Sequence, residues 1–73
     1  DAIYPGLTND YINIRAKDIV NVKIVSMTGA VVYSLDTNEQ EFRIDIRNLR
    51  SGTYVVHVTT TTASYAEKVV VAF

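Results

Sequence analysis

Residues 42–47 carry the plainest pattern in the chain. Phe42, Ile44 and Ile46 alternate with Arg43, Asp45 and Arg47, apolar on one side and charged on the other. A period of two marks a half-buried strand, because successive side chains of an extended chain point to opposite faces. The same alternation recurs elsewhere. Over residues 11–15, Ile12 and Ile14 oppose Tyr11, Asn13 and Arg15. Over residues 53–60, Tyr54, Val56 and Val58 share a face, opposite Val55, His57 and Thr59. Over residues 65–73, Tyr65, Glu67, Val69, Val71 and Phe73 oppose Ala66, Lys68, Val70 and Ala72.

Two further runs, residues 22–27 and 30–35, flank Thr28-Gly29. Val22 and Ile24 share one face of the first; Val31, Tyr33 and Leu35 share one face of the second. Gly at the second position of a short turn between apolar runs predicts a β-hairpin, with Gly29 supplying the positive φ. Polar stretches separate the strands: residues 16–21, the acidic loop 36–41, a corner at 48–52 and a turn at 61–64. Residues 1–10 read as a lead-in, in which Pro5 pushes Tyr4 to an extended conformation. The result is about six or seven short strands at the turn spacing of an antiparallel sandwich or barrel.

One local pattern chooses between the two. Leu49-Arg50-Ser51-Gly52-Thr53-Tyr54 has the form of a tyrosine corner, in which a Tyr at a strand start bonds back to upstream backbone. This predicts an immunoglobulin-like antiparallel β-sandwich with Greek-key connections.

Composition agrees. Val, Ile and Thr supply 26 of 73 residues, and Leu only 3, so the chain is all-β and long enough for a single domain. It has no cysteine, which excludes disulfides and thiolate chemistry, and one histidine, which excludes a multi-histidine metal site. A formal net charge of −1 provides no basic field for nucleic acid. The longest apolar run, Val69 to Phe73, has five residues, far from the roughly 20 of a membrane-spanning helix. No direct membrane insertion is expected.

No catalytic constellation emerges. His57 sits mid-strand without a nucleophile motif, and reads as a surface histidine on an outer face. Asn9, Asp10 and Asn13 lack the spacing of a calcium loop and suit turn and strand-start roles. Asp36, Glu39 and Glu41 read as a solvated acidic face. Gly6, Gly29 and Gly52 lie too far apart for a phosphate loop. Tyr4, Tyr11 and Tyr65 could form a sugar-stacking platform, although packing is the usual role of tyrosines in a sandwich. The expectation is a non-enzyme without cofactor or metal.

Several blocks together resemble a known family. Tyr4-Pro5-Gly6-Leu7-Thr8-Asn9-Asp10-Tyr11-Ile12-Asn13-Ile14 resembles the opening of the C-terminal sorting domains of the type IX secretion system, usually Tyr-Pro-Asn-Pro followed by an alternating strand. Residues 22–32 resemble that family's hairpin with its glycine turn. Residues 44–58, with Asp45, Leu49, Gly52 and Tyr54, resemble its most distinctive stretch, Asp-Ile-x-x-Leu-x-x-Gly-x-Tyr before an apolar strand. Glu67-Lys68-Val69-Val70-Val71 resembles its final strand. The chain departs from the pattern at Gly6 and Leu7, and in ending Ala72-Phe73 where the family often ends on lysine.

The resemblance implies that residues 1–73 are a single C-terminal sorting domain of a larger secreted protein, residues 1–10 being its lead-in. It implies a signal read by the type IX translocon, which takes the cargo from the periplasm across the outer membrane. Sortase cleavage and attachment of the cargo to anionic lipopolysaccharide commonly follow, at the cell surface or with release. The implied partners are translocon and sortase proteins. The family-motif positions are Tyr4, Pro5, Gly29, Asp45, Leu49, Gly52 and Tyr54. The candidate recognition residues are Lys68, Val69, Val70, Val71, Ala72 and Phe73, because a long apolar terminal strand at a sheet edge can pair with a partner strand. Edge pairing or strand swapping into a homodimer is a further expectation. The competing readings are an immunoglobulin- or fibronectin-like adhesion or spacer module and a small carbohydrate-binding module.

Overall fold

A computed structural model describes residues 2–73. Eight strands form: β1 (Ala2–Tyr4), β2 (Leu7–Thr8), β3 (Tyr11–Arg15), β4 (Ile19–Ser26), β5 (Val31–Asp36), β6 (Glu41–Asp45), β7 (Gly52–Thr60) and β8 (Ser64–Val71). They make two sheets, one in the order β1-β3-β6 and one in the order β2-β8-β7-β4-β5. The chain crosses between sheets from β3 to β4, from β5 to β6 and from β6 to β7. This is the Greek-key sandwich of the immunoglobulin type. Among the described residues there is no helix long and apolar enough to cross a membrane.

The sheets close over the residues that the alternation assigns inward. Ile12, Ile14 and Ile44 come from the three-stranded sheet and Ile46 from just beyond β6; Val22, Ile24, Val56, Val58, Val69 and Val71 come from the five-stranded one. All are buried. The core is thus almost wholly β-branched, side chains whose few rotamers suit a pleated surface. Phe42, Tyr33 and Leu49 pack against it from the rim.

Three features depart from the alternation. The lead-in is not irregular: residues 2–8 supply a strand to each sheet, separated by Pro5 and Gly6, with the Tyr4–Pro5 peptide cis. β1 pairs antiparallel with β3, whereas β2 pairs parallel with β8, the one parallel ladder among the described residues. Three- and two-residue strands are too short to show a period. Second, Ala16 and Ile19 are buried although residues 16–21 read as polar. β4 begins at Ile19, and a register shift between Ile19 and Asn21 lets Ile19 and Val22 both turn inward. Third, a bulge opposite Ile24/Val25 displaces β5 by one residue. Tyr33 leans on the core and Leu35 is half-buried, but Val31 pairs with Val25 and is 56% exposed. One extra residue reverses the face of everything beyond it.

Candidate recognition surface

β8 docks because Val69 and Val71 fill the core while the strand pairs along its length with β7. Register pairs Val69 with Tyr54 and Val71 with Gly52, which turns both valines inward, each 1% exposed. Lys68 and Val70 therefore face out. The backbone groups of the even-numbered residues point away from β7. Val70 N–H donates to the Gly6 carbonyl at 2.8 Å and Ala72 N–H to the Thr8 carbonyl at 3.0 Å. Phe73 N–H donates to Ser51 Oγ at 3.2 Å, and its ring is 65% exposed. The six candidate residues thus divide. Val69 and Val71 are core, Lys68 and Val70 lie on the outer face, and Ala72 and Phe73 form an exposed end.

This changes which part of the last strand lies open. A terminal strand lying at a sheet edge would leave residues 65–73 open to a partner. β2 instead covers Val70 and Val71. Among the described residues, no strand lies beside residues 64–68 on the side away from β7.

Behind that open stretch the two sheets part into a cleft of about 90 Å³. Ile14, Ala16 and Val58 floor it, Ile3 and Tyr65 flank it, and Arg15 and Glu67 stand at its lips. On the outer face of the five-stranded sheet, Lys23 lies directly opposite His57, and Lys68 lies opposite Val55, one step diagonal from His57. All three basic side chains are exposed. Asp36, on the edge strand β5, lies one step diagonal from Lys23 and accepts a bond from Asn21 Nδ2 at 2.7 Å. Beside the basic group, cross-strand pairs bring Leu7 to Val70 and Val25 to Val55, two separate apolar pairs on a face that antiparallel sandwiches usually keep polar.

The motif residues hold this geometry. The Tyr54 hydroxyl donates to the Arg50 carbonyl at 2.7 Å, four residues upstream, with the ring buried. Leu49 packs against the core beneath it, and its N–H bonds to the Ile46 carbonyl at 3.0 Å. Gly52 opens β7 opposite Val71. Gly29, at φ 89°, closes the β4–β5 hairpin, where Ser26 N–H donates to the Ala30 carbonyl at 2.8 Å. At the lead-in, the Thr8 hydroxyl donates to the Tyr11 carbonyl at 2.8 Å, and Asp10 Oδ1 accepts from Tyr11 N–H at 2.6 Å. Asp10 thus serves a local turn.

Asp45 sits on the opposite, three-stranded face. Arg47 grips it through Nε and Nη2, the latter at 2.7 Å. The Arg47 side-chain bond, then its backbone N–H, hold the Asp45 carboxyl down at about 2, from an ordinary 3.8. The same contact pushes the Arg47 guanidinium upward. Arg43 and Arg47 both stack on the Tyr11 ring, 4.9 and 5.5 Å from its centre. The alternation places all four side chains on one face, but it gives no sign of this stack, because Tyr11 meets Asp45 only through strand pairing.

That stack also bears on the sugar-platform expectation. Tyr11 is covered by two guanidinium groups, Tyr4 belongs to the edge strand β1, and Tyr65 lines the cleft between the sheets. Tyr4 pairs with Asn13 and so shares the outer face of the three-stranded sheet with Tyr11, but Tyr65 lies apart at the cleft, so the three rings form no single platform. Among the described residues, no group of three or more His, Cys, Asp or Glu side chains could hold a metal ion.

Comparison with known proteins places the chain. The family described as the secretion system C-terminal sorting domain matches residues 2–72, spanning both sheets. Beta-agarase D of Zobellia galactanivorans is 28% identical over 69 residues, covering 94% of this chain and 14% of that protein. The chain therefore spans only a small part of that relative's length.

Proposed function

Because this chain belongs to the C-terminal sorting domains of the type IX secretion system, we propose that it is a folded address that the translocon reads on a larger cargo protein. The observation that carries this reading is a family match over residues 2–72, the whole sandwich rather than one motif. Proteins with such domains are secreted toward the outer membrane or cell surface, or released. In this reading the domain does no chemistry. Its cargo transits the periplasm, a sortase removes the domain, and the cargo is joined to anionic lipopolysaccharide. The relation to Beta-agarase D supports a module borne by a longer protein, since the shared part is 14% of that chain. What that enzyme acts on belongs to that enzyme.

Within the address, Lys68, Val70, Ala72 and Phe73 are the proposed contact residues. Val69 and Val71 contribute by fixing the strand that presents them. The test is a fusion of residues 1–73 to the C-terminus of a periplasm-directed reporter, in a bacterium with a working type IX pathway and in a strain lacking the translocon. The expected result is surface reporter in the competent strain only. Reporter trapped in the periplasm of both, with the domain folded, would favour an adhesion or spacer module.

A further inference from the structure

Strand β8 is long, but its partner on the outer side is short. The parallel ladder from β2 reaches only Val70 and Val71, and upstream of Gly6 the chain leaves for the other sheet as β1. The alternation of β8 aims the N–H and C=O groups of Ala66 and Lys68 to that same outer side, as it does those of Val70. Unpaired edge groups in a row are a template for an added strand. Behind them lies the cleft floored by Ile14, Ala16 and Val58. A strand laid in line with β2 would point alternate side chains into that apolar-floored cleft. Its other side chains would point to the outer face, where Lys68, His57 and Lys23 adjoin. The one ion pair among the described residues is Arg47 with Asp45, on the opposite face; Asp36, diagonal to Lys23, is held by Asn21, and no ion pair engages Lys68.

We propose that residues 64–68 accept an extended strand of a protein partner, one that alternates aliphatic residues toward the cleft with acidic residues toward Lys68. The site continues the β2–β8 ladder, and charge complementarity selects the acidic alternation. The proposal rests on the reading of this domain as an address, since it names where the export machinery would hold it.

The experiment has two arms. In the first, a seven-residue peptide alternating valine and glutamate is titrated into the isotopically labelled chain. The Ala66 and Lys68 amides gain protection from hydrogen exchange, and a valine–lysine peptide binds at least about threefold more weakly. Ala66→Pro abolishes the protection. Its lost N–H faces away from β7, so the ladder that holds β8 is spared. Lys68→Glu weakens binding while Lys68→Arg keeps it, a second reading if the proline variant does not fold. Unprotected amides, or equal binding of both peptides, overturn the proposal. So does a concentration-dependent dimer abolished by Ala66→Pro, which assigns the edge to a second copy. In the second arm, reporter export is compared for wild type and Ala66→Pro. Export of the wild type with at least a tenfold loss in the folded variant supports the site, and equal export overturns it. Failure of the wild-type fusion, with the peptide result intact, sinks the address reading alone.

Discussion

Replacing Tyr54 by Phe removes one oxygen and leaves the ring in place. The hydroxyl sits 2.7 Å from the Arg50 carbonyl, and the residue is 7% exposed. An intramolecular hydrogen bond of this kind contributes about 1 kcal/mol net, within roughly 0.5–1.5. The abandoned carbonyl belongs to Arg50, an exposed residue, so water can reach part of it and the cost stays near the middle of that range. A loss of about 1 kcal/mol lowers the melting temperature of a domain this size by roughly 4–8 °C. In urea, with a slope near 1 kcal/mol/M, the midpoint falls by about 1 M and the slope is unchanged. Circular dichroism melts of the two proteins in parallel give both numbers. Tyr54→Ala is the control: it also deletes the ring, costs about 3–5 kcal/mol, and leaves a domain of such thin margin largely unfolded at 37 °C. A midpoint within about 0.2 M of wild type for Tyr54→Phe would refute the argument that the corner bond, rather than ring packing alone, fixes the turn into β7.

Three further outcomes follow from the same structure. Ile24→Ala, at a fully buried site in β4, should cost about 2–5 kcal/mol, whereas Val32→Ala, 40% exposed on the edge strand, should stay within about 0.5; urea midpoints separate the two. Gly29→Val should cost about 1–2 kcal/mol, because φ 89° is strained for a β-branched residue, with the loss seen first as faster amide exchange in the β4–β5 hairpin. The Asp45 carboxyl should titrate by NMR near 2, and Arg47→Gln should return it toward 3.8. Since its folded value lies below the unfolded one, its stabilisation is present above about pH 4. It is lost as pH falls toward 2, and Arg47→Gln should flatten that loss.

Much of this could be read from the residues, for a local reason. Ile12, Ile14, Ile44, Val56, Val58, Val69 and Val71 face inward because each belongs to a strand long enough to repeat, and the corner needs only the six residues from Leu49 to Tyr54. What the pattern misses is set by pairing between distant segments. The bulge that turns Val31 outward is a mismatch between two strands and belongs to neither alone. The covering of Val70 by Leu7 joins residues 63 positions apart. Tyr11 meets Arg43 and Arg47 only because β3 and β6 align, Tyr11 facing Asp45. The open stretch of β8 is the most consequential case. Alternation identifies a strand with one apolar face, but which part of its edge is free depends on where an unrelated two-residue strand happens to stop.

The parallel pair has a mechanical consequence. β2 lies near the N-terminal end of the described chain and β8 at its C-terminal end, side by side and pointing the same way. Once the β1–β3 ladder upstream of Pro5 has let go, tension between the two ends acts along both strands in opposite senses. The bonds from Val70 to Gly6 and from Ala72 to Thr8 are then sheared together rather than opened one after another. Pulled from its two ends, the sandwich meets the load with these bonds acting at once, whereas a hairpin pulled open from its mouth would yield them singly.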